Sequence, residues 1–304
     1  MSLVGPTVPL MELTAAQQRT LDELLRPGRA PPGESAVQAA RDRLESELRT
    51  LAIDPSGPLR LSKGRLSVLA ACEGWYEAER SGEGALFVHG AATAAGTLTH
   101  RAIQVDVASE RREDVRSVVE RAARRLTEDD GEFLSYWGHL DRLDRAEHLA
   151  AAAARLALFR AMFPPLDRSW QPVAEQYLAA WLANRSAVLS GRVDLMLGRG
   201  PHLLVDFKTG EARPGYAEDM RFYALIVALG FGVAPYRVAT VFCESMEWQS
   251  EDVTEEVLER EVDRVVAAAR SAADLARGRA PLLTPGVYCR WCPRARTCPS
   301  SAAS

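Results

Sequence analysis

The sequence predicts an α/β fold in which a sheet, formed in the second half of the chain, is flanked by helices. Two observations carry this. After Pro172 apolar residues recur with a period of two over 173–182, 186–197, 203–208 and 237–244, the pattern of strands. Around these runs the period turns helical, at 217–229 and at 251–277. The second of these places Ser250 as N-cap and Val257, Leu258, Val262, Val265 and Ala269 on one face.

Taken in order along the chain, residues 1–60 read as a helical N-terminal appendage broken by RPGRAPPGES and DPSGP. From Ser109, Val115, Val118, Ala122 and Leu126 recur at helical spacing, and an alanine-rich helix covers about 146–163. The stretch 107–166 is therefore expected as a helical insertion in a domain spanning 61–304. A cysteine-rich segment, 285–300, closes the chain.

Composition excludes little, since 47% hydrophobic and 26% charged residues in 304 are ordinary for a globular protein. The longest apolar stretch, 149–163, is interrupted by Arg155 and Arg160 and falls short of a membrane span. The start, MSLVGPTVPLMEL, lacks the basic and apolar regions of a secretory signal, so a cytoplasmic location is expected. The net charge of −4 does not advertise a polyanionic partner. Arginines cluster locally, at Arg290, Arg294 and Arg296 and at Arg111, Arg112, Arg116, Arg121, Arg124 and Arg125, where they serve either as phosphate contacts or as a solvated helix face.

The most informative segment is GRVDLMLGRGPHLLVDFKTG, 191–210, two alternating runs around a Gly-Arg-Gly-Pro turn signal. Pairing Val193 with Phe207, Leu195 with Val205 and Leu197 with Leu203 puts the apolar side chains on one face of a hairpin. Asp194 then sits opposite Asp206 on the other face, which Lys208 shares. Two carboxylates about 5 Å apart repel by about 3 kcal/mol at an effective dielectric of about 20. A divalent cation between them would offset that repulsion, and hard oxygen ligands suit Mg²⁺ and Mn²⁺; the alternative is an exposed hairpin face with ordinary charges. With an amine beside a metal-bound water the set fits phosphodiester hydrolysis.

GRVD followed twelve residues later by VDFKTG resembles motifs II and III of RecB-type PD-(D/E)XK nucleases. The resemblance implies a restriction-endonuclease-like core, a mixed central sheet flanked by helices. It implies that Asp194, Asp206 and the backbone carbonyl of Phe207 ligate Mg²⁺ or Mn²⁺, with Lys208 the catalytic lysine. GTLTHRAI is similar to the family's upstream segment and makes His100 a metal ligand. AEDMRFYAL is similar to its downstream helix: Tyr223 fits as a site residue, but Asp219 stands where glutamine is usual.

Of five cysteines, Cys289, Cys292 and Cys298 form CxxCx₅C, and Cys72 lies in LSKGRLSVLAACEGWYEAE. Four thiolates suit one metal site, and the residues alone leave zinc and an iron-sulfur cluster open. Cys243, in VATVFCE, reads as a core thiol. One N-terminal cysteine plus three at the C-terminus resembles the staple of AddB-type nucleases and of CRISPR-adaptation nucleases, which implies a 4Fe-4S cluster; here Glu73 replaces the usual proline. The function implied is a metal-dependent DNA nuclease acting on single strands or free ends, as an exonuclease or flap nuclease in recombination, repair or defence. Without a Walker A motif, any helicase partner is a separate chain. The alternatives are a catalytically inactive DNA-binding scaffold and a CRISPR spacer-acquisition nuclease.

Overall fold

The computed structural model describes residues 12–51, 53, 57–84, 87–109, 111–166, 168–200, 202–210 and 215–301. The first eleven residues, part of the DPSGP breaker and Pro201 of the hairpin turn lie outside these.

Helix α1 (Ala15–Arg19) carries a Thr14/Gln17 capping box and runs into a π-helical turn, Thr20–Leu25. Then follow α2 (Glu34–Thr50), β1 (Leu59–Leu61), α3 (Lys63–Ala71), α4 (Glu73–Arg80) and α5 (Ala91–Val107). Three helices come next: α6 (Val115–Asp129), α7 (Gly131–His139) and α8 (Arg142–Met162). Asp114, Asp130 and Asp141 cap them in turn, each side chain accepting from a backbone N–H three residues on. The remainder is β2 (Val173–Leu182), β3 (Ala187–Leu197), β4 (Leu203–Lys208), α9 (Tyr216–Phe231), β5 (Arg237–Phe242), β6 (Trp248–Asp252) and α10 (Glu255–Ala276).

The six strands form one mixed sheet flanked by helices. β2 runs antiparallel along β3, β4 pairs antiparallel with β3 and parallel with β5, and β6 lies antiparallel to β5. The opposite edge of β3 from β2 is shared, with β1 parallel to 187–189 and β4 antiparallel to 195–197. Two elements depart from the sequence expectations. Residues 250–252, expected as the cap and first residues of the last helix, belong to strand β6, where Ser250 pairs with Ala239 instead of capping. The cap is Thr254, whose hydroxyl accepts from the Val257 N–H at 3.3 Å. β1 is a three-residue strand at the end of a stretch that reads as helical; strands this short carry almost no periodic signal.

Apolar layers cover both faces of the sheet. One joins α2, α9 and α10 to Leu178, Leu189, Val193, Met196 and Leu204. The other joins α5, α6 and α8 to Leu195, Leu197, Leu203, Val205 and Phe207. Residues 15–50 are part of these layers, through Leu24 and Leu25 in the second and Leu44 and Leu48 in the first. The expected hairpin register holds at Leu195↔Val205 and Leu197↔Leu203. Val193, expected on the same face, packs instead into the opposite layer. The alternation reverses at Asp194, which falls opposite Glu175 in the β2–β3 ladder; Glu175 has φ of 55°, and the ladder skips that pair between Gln176↔Val193 and Ala174↔Leu195.

Candidate active site and cysteine site

The site forms where β3 changes neighbours. Between its pairing with β1 and its pairing with β4, residues 190–194 have no strand partner on that edge. Where the β3–β4 ladder stops, the Asp194 carboxylate replaces a main-chain partner: its Oδ2 accepts from the Phe207 N–H at 2.6 Å. His100, from α5, brings Nδ1 to 3.3 Å from the same oxygen and to 3.9 Å from Glu175 Oε1. The ring of His100 lies edge-on to Phe207, centroids 6.4 Å apart. Ligand atoms of His100, Glu175 and Asp194 all fall within 4.8 Å of one another, the one such group among the described residues.

Asp206, 2% exposed, sits beside this triad. It forms a short ion pair with Lys208, two residues along the same strand, and receives Lys63 Nζ at 3.2 Å. Lys63 Nζ also lies 3.9 Å from Asp219 Oδ2 and 5.0 Å from the centre of the Tyr223 ring. Tyr223 is buried against Gly191: a Cβ on that glycine would come 2.6 Å from Tyr223 Cε1. The glycine of GRVD therefore makes room for the tyrosine of α9.

Electrostatics follow from this packing. Burial pushes the His100 imidazole down, but Asp194, Glu175 and Asp206 outweigh it and hold it up to about 9. Burial raises Asp194, yet His100, the Phe207 N–H and Lys208 bring it below the usual carboxylate range. Burial and the neighbouring Asp194 raise Glu175, and burial raises Asp219 despite Lys63 and Lys208. Burial pushes the Tyr223 hydroxyl up to about 12. Burial opposes the charge of Lys63, but Asp206, Tyr223 and Asp219 overcome it and raise its pKa. An imidazole and several carboxylates converging at one sheet edge form a donor set suited to a hard or borderline divalent cation.

His100, Asp194, Asp206, Phe207, Lys208 and Tyr223 are thus brought together. Glu175 and Lys63 join them without a sequence motif. For Glu175 the tight turn at 183–186 is a usable signal, since carrying the Leu182↔Ala187 pairing back along β2 sets residue 175 opposite 194. No local pattern marks Lys63. His89, His139, His148 and His202 make other contacts; His89, for example, packs against Phe87, Phe133 and Tyr136.

Cys72, Cys289, Cys292 and Cys298 line a second cavity, of about 200 Å³, with Trp75, Leu283 and Tyr288. Cys72 lies at the junction of α3 and α4. The last three cysteines sit in and after a 3₁₀ turn, Val287–Trp291. Polar bonds tie the two ends of the chain: both Glu73 oxygens accept from Arg279, at 2.7 and 2.9 Å, and one from the Leu282 N–H at 2.8 Å. The Tyr288 hydroxyl donates to Ala71 O at 2.8 Å. None of the five cysteines is in a disulfide, and Cys243 is buried in the second layer, its thiol pushed up to about 12 by burial.

No helix among the described residues is long and apolar enough to cross a membrane. No curated protein matches the chain. Among solved structures, that of SSO0001 is similar over 88% of this chain and 97% of its own, at 11% identity and a TM-score of 0.36. The family model of the PD-(D/E)XK nuclease superfamily matches residues 60–299, and the chain belongs to that superfamily.

Proposed function

We propose that this protein is a metal-dependent deoxyribonuclease that hydrolyses phosphodiester bonds in DNA with single-stranded or free ends, as an exonuclease or flap nuclease of the RecB type. The observation that carries the reading is the convergence of His100, Glu175 and Asp194 beside the Asp206–Lys208 pair. In this reading Asp194, Asp206, His100 and the Phe207 carbonyl hold Mg²⁺ or Mn²⁺, and Glu175 joins them; the cation, when bound, supplies a water of lowered pKa. The protein's part is positional. The Phe207 N–H fixes the Asp194 carboxylate, Asp206 holds the Lys208 ammonium in the site, and Tyr223 packs against Gly191 of β3.

The four cysteines surrounding one cavity are proposed to bind a 4Fe-4S cluster, as in AddB-like and CRISPR-adaptation nucleases. The resemblance in cysteine placement carries the 4Fe-4S reading; zinc, which four thiolates also suit, is the alternative. Recombination, repair or defence of DNA, in the cytoplasm and with a separately encoded helicase, completes the proposal.

The test is cleavage of labelled single-stranded and duplex DNA with Mn²⁺ or Mg²⁺ by anaerobically purified protein and by Asp206→Ala. Metal-dependent cleavage that falls by at least about a thousandfold in the variant is expected. Failure of the wild type to cut with any divalent metal sinks the reading.

A further inference from the structure

We propose that Lys63 is a second active-site cation, which binds a phosphate oxygen of the substrate strand beside Lys208; the inference rests on the nuclease reading of the site. It starts from the sheet. β1 ends at Leu61, and its pairing with 187–189 delivers the chain to the edge of β3 just before the unpaired segment 190–194. Lys63 opens α3 there, after the Ser62 cap, and so enters the space between β1 and β4.

Asp206 is a single buried carboxylate with two ammonium partners, Lys63 at 3.2 Å and Lys208 closer still. Lys208 alone balances Asp206, so Lys63 is shared between that carboxylate and Asp219. An ammonium has three donors. Asp219 and the Tyr223 ring hold Lys63 from one side, at 3.9 and 5.0 Å, and Asp206 takes it from the other. If Asp206 ligates a cation, that carboxylate oxygen is claimed, while Asp219 and Tyr223 still keep Lys63 in place. One donor is then released at the point where a phosphate must lie. The way in is open: the Lys63 side chain remains 29% exposed, and nothing lies within 4 Å of the position a Cβ would take on the adjacent Gly64. Asp219, an acid where the resembling helix carries glutamine, supplies the countercharge that a lysine at this place requires.

Lys63→Met removes the charge and keeps most of the length, and Lys63→Arg keeps the charge. Binding of both variants and of wild type to labelled single-stranded DNA is measured in Ca²⁺ over a salt series, with thermal melts alongside, and single-turnover cleavage follows in Mn²⁺. Lys63→Met is expected to bind about tenfold more weakly at low salt, with the slope of log affinity against log salt reduced by about one, and to cut more slowly. Lys63→Arg should recover the slope. An unchanged slope with unchanged affinity overturns the assignment, as does a loss of melting temperature with no change in slope, which marks a purely structural lysine. Wild-type protein that neither binds nor cuts DNA overturns the nuclease reading and this inference with it. Binding without cleavage, with a Lys63-dependent slope, keeps the phosphate contact and removes only the chemistry.

Discussion

Asp194, Asp206 and Lys208 come from two neighbouring strands between two buried layers, whereas Cys72 and Cys289 come from segments more than two hundred residues apart and meet on turns near the surface. At the first site the side chains are aimed by the sheet. Asp194 is fixed by a main-chain N–H, and its neighbours Val193 and Leu195 are buried on opposite faces. At the second, polar contacts link the two segments, with Glu73 holding Arg279 and the Leu282 N–H and Tyr288 reaching Ala71, beside the stacked rings of Trp75 and Tyr288. Packing preforms one site; a clamp of side-chain contacts joins the segments of the other.

The contrast can be broken most severely at the cysteines. Closing a loop of more than two hundred residues is worth about 5 kcal/mol in chain entropy. Cys289→Ala should therefore give a colourless protein that melts many degrees lower and is cut by protease near its C-terminus; a brown, equally stable variant rules out the ligand assignment. Glu73→Ala is the next largest. It removes the acceptor for Arg279 and leaves the Leu282 N–H unpaired, a loss of about 2–3 kcal/mol. If the thiols hold the proposed cluster, melts before and after treatment with a chelator should show a larger deficit in the treated protein, where the clamp acts alone. Equal deficits would mean that clamp and thiols are not coupled.

Two glycines sharpen the same comparison. Alanine at Gly191 meets the rigid buried ring of Tyr223 at 2.6 Å and should cost about 1–3 kcal/mol in urea unfolding, with cleavage lost in proportion. Alanine at Gly74 meets the flexible end of the exposed Leu283 side chain at 2.4 Å and is in ordinary contact with Cys72 Sγ at 3.6 Å. Its cost should be below about 1 kcal/mol. Equal costs would contradict the difference in rigidity between the two sites.

The smallest effect concerns pH. In the metal-free protein His100 is held up to about 9, above its unfolded value of about 6.5. Its contribution is fully present below about 6.5 and is lost as pH rises through about 9. Urea midpoints across that window should fall more steeply for wild type than for His100→Gln. Parallel curves would show that the imidazole does not share charge with Asp194 and Glu175.

Much of this molecule is legible in short stretches of sequence. The strand 173–182, the hairpin register at 195–205 and the coupling of Asp206 to Lys208 follow from alternation at period two, which each residue shares with its immediate neighbours. The three clustered cysteines and the helix of His100 are likewise local. Strand β6 was hidden, because a polar edge strand beside a long helix leaves no apolar alternation to read.

What the tertiary structure alone decided is which distant residues complete the site. The turn at 183–186 already sets Glu175 opposite Asp194, but the reversal of alternation there, which strict pleating would not produce, came only with the packed layers. Lys63 reaches Asp206, and Asp219 reaches Lys63, because β1 pairs with β3 and α9 packs across the sheet. The physical reason is one of range. The direction of a side chain along a strand is set by the backbone within two residues, but the partner that a strand chooses across the sheet is set by the burial of whole layers, and no short window of sequence carries that sum.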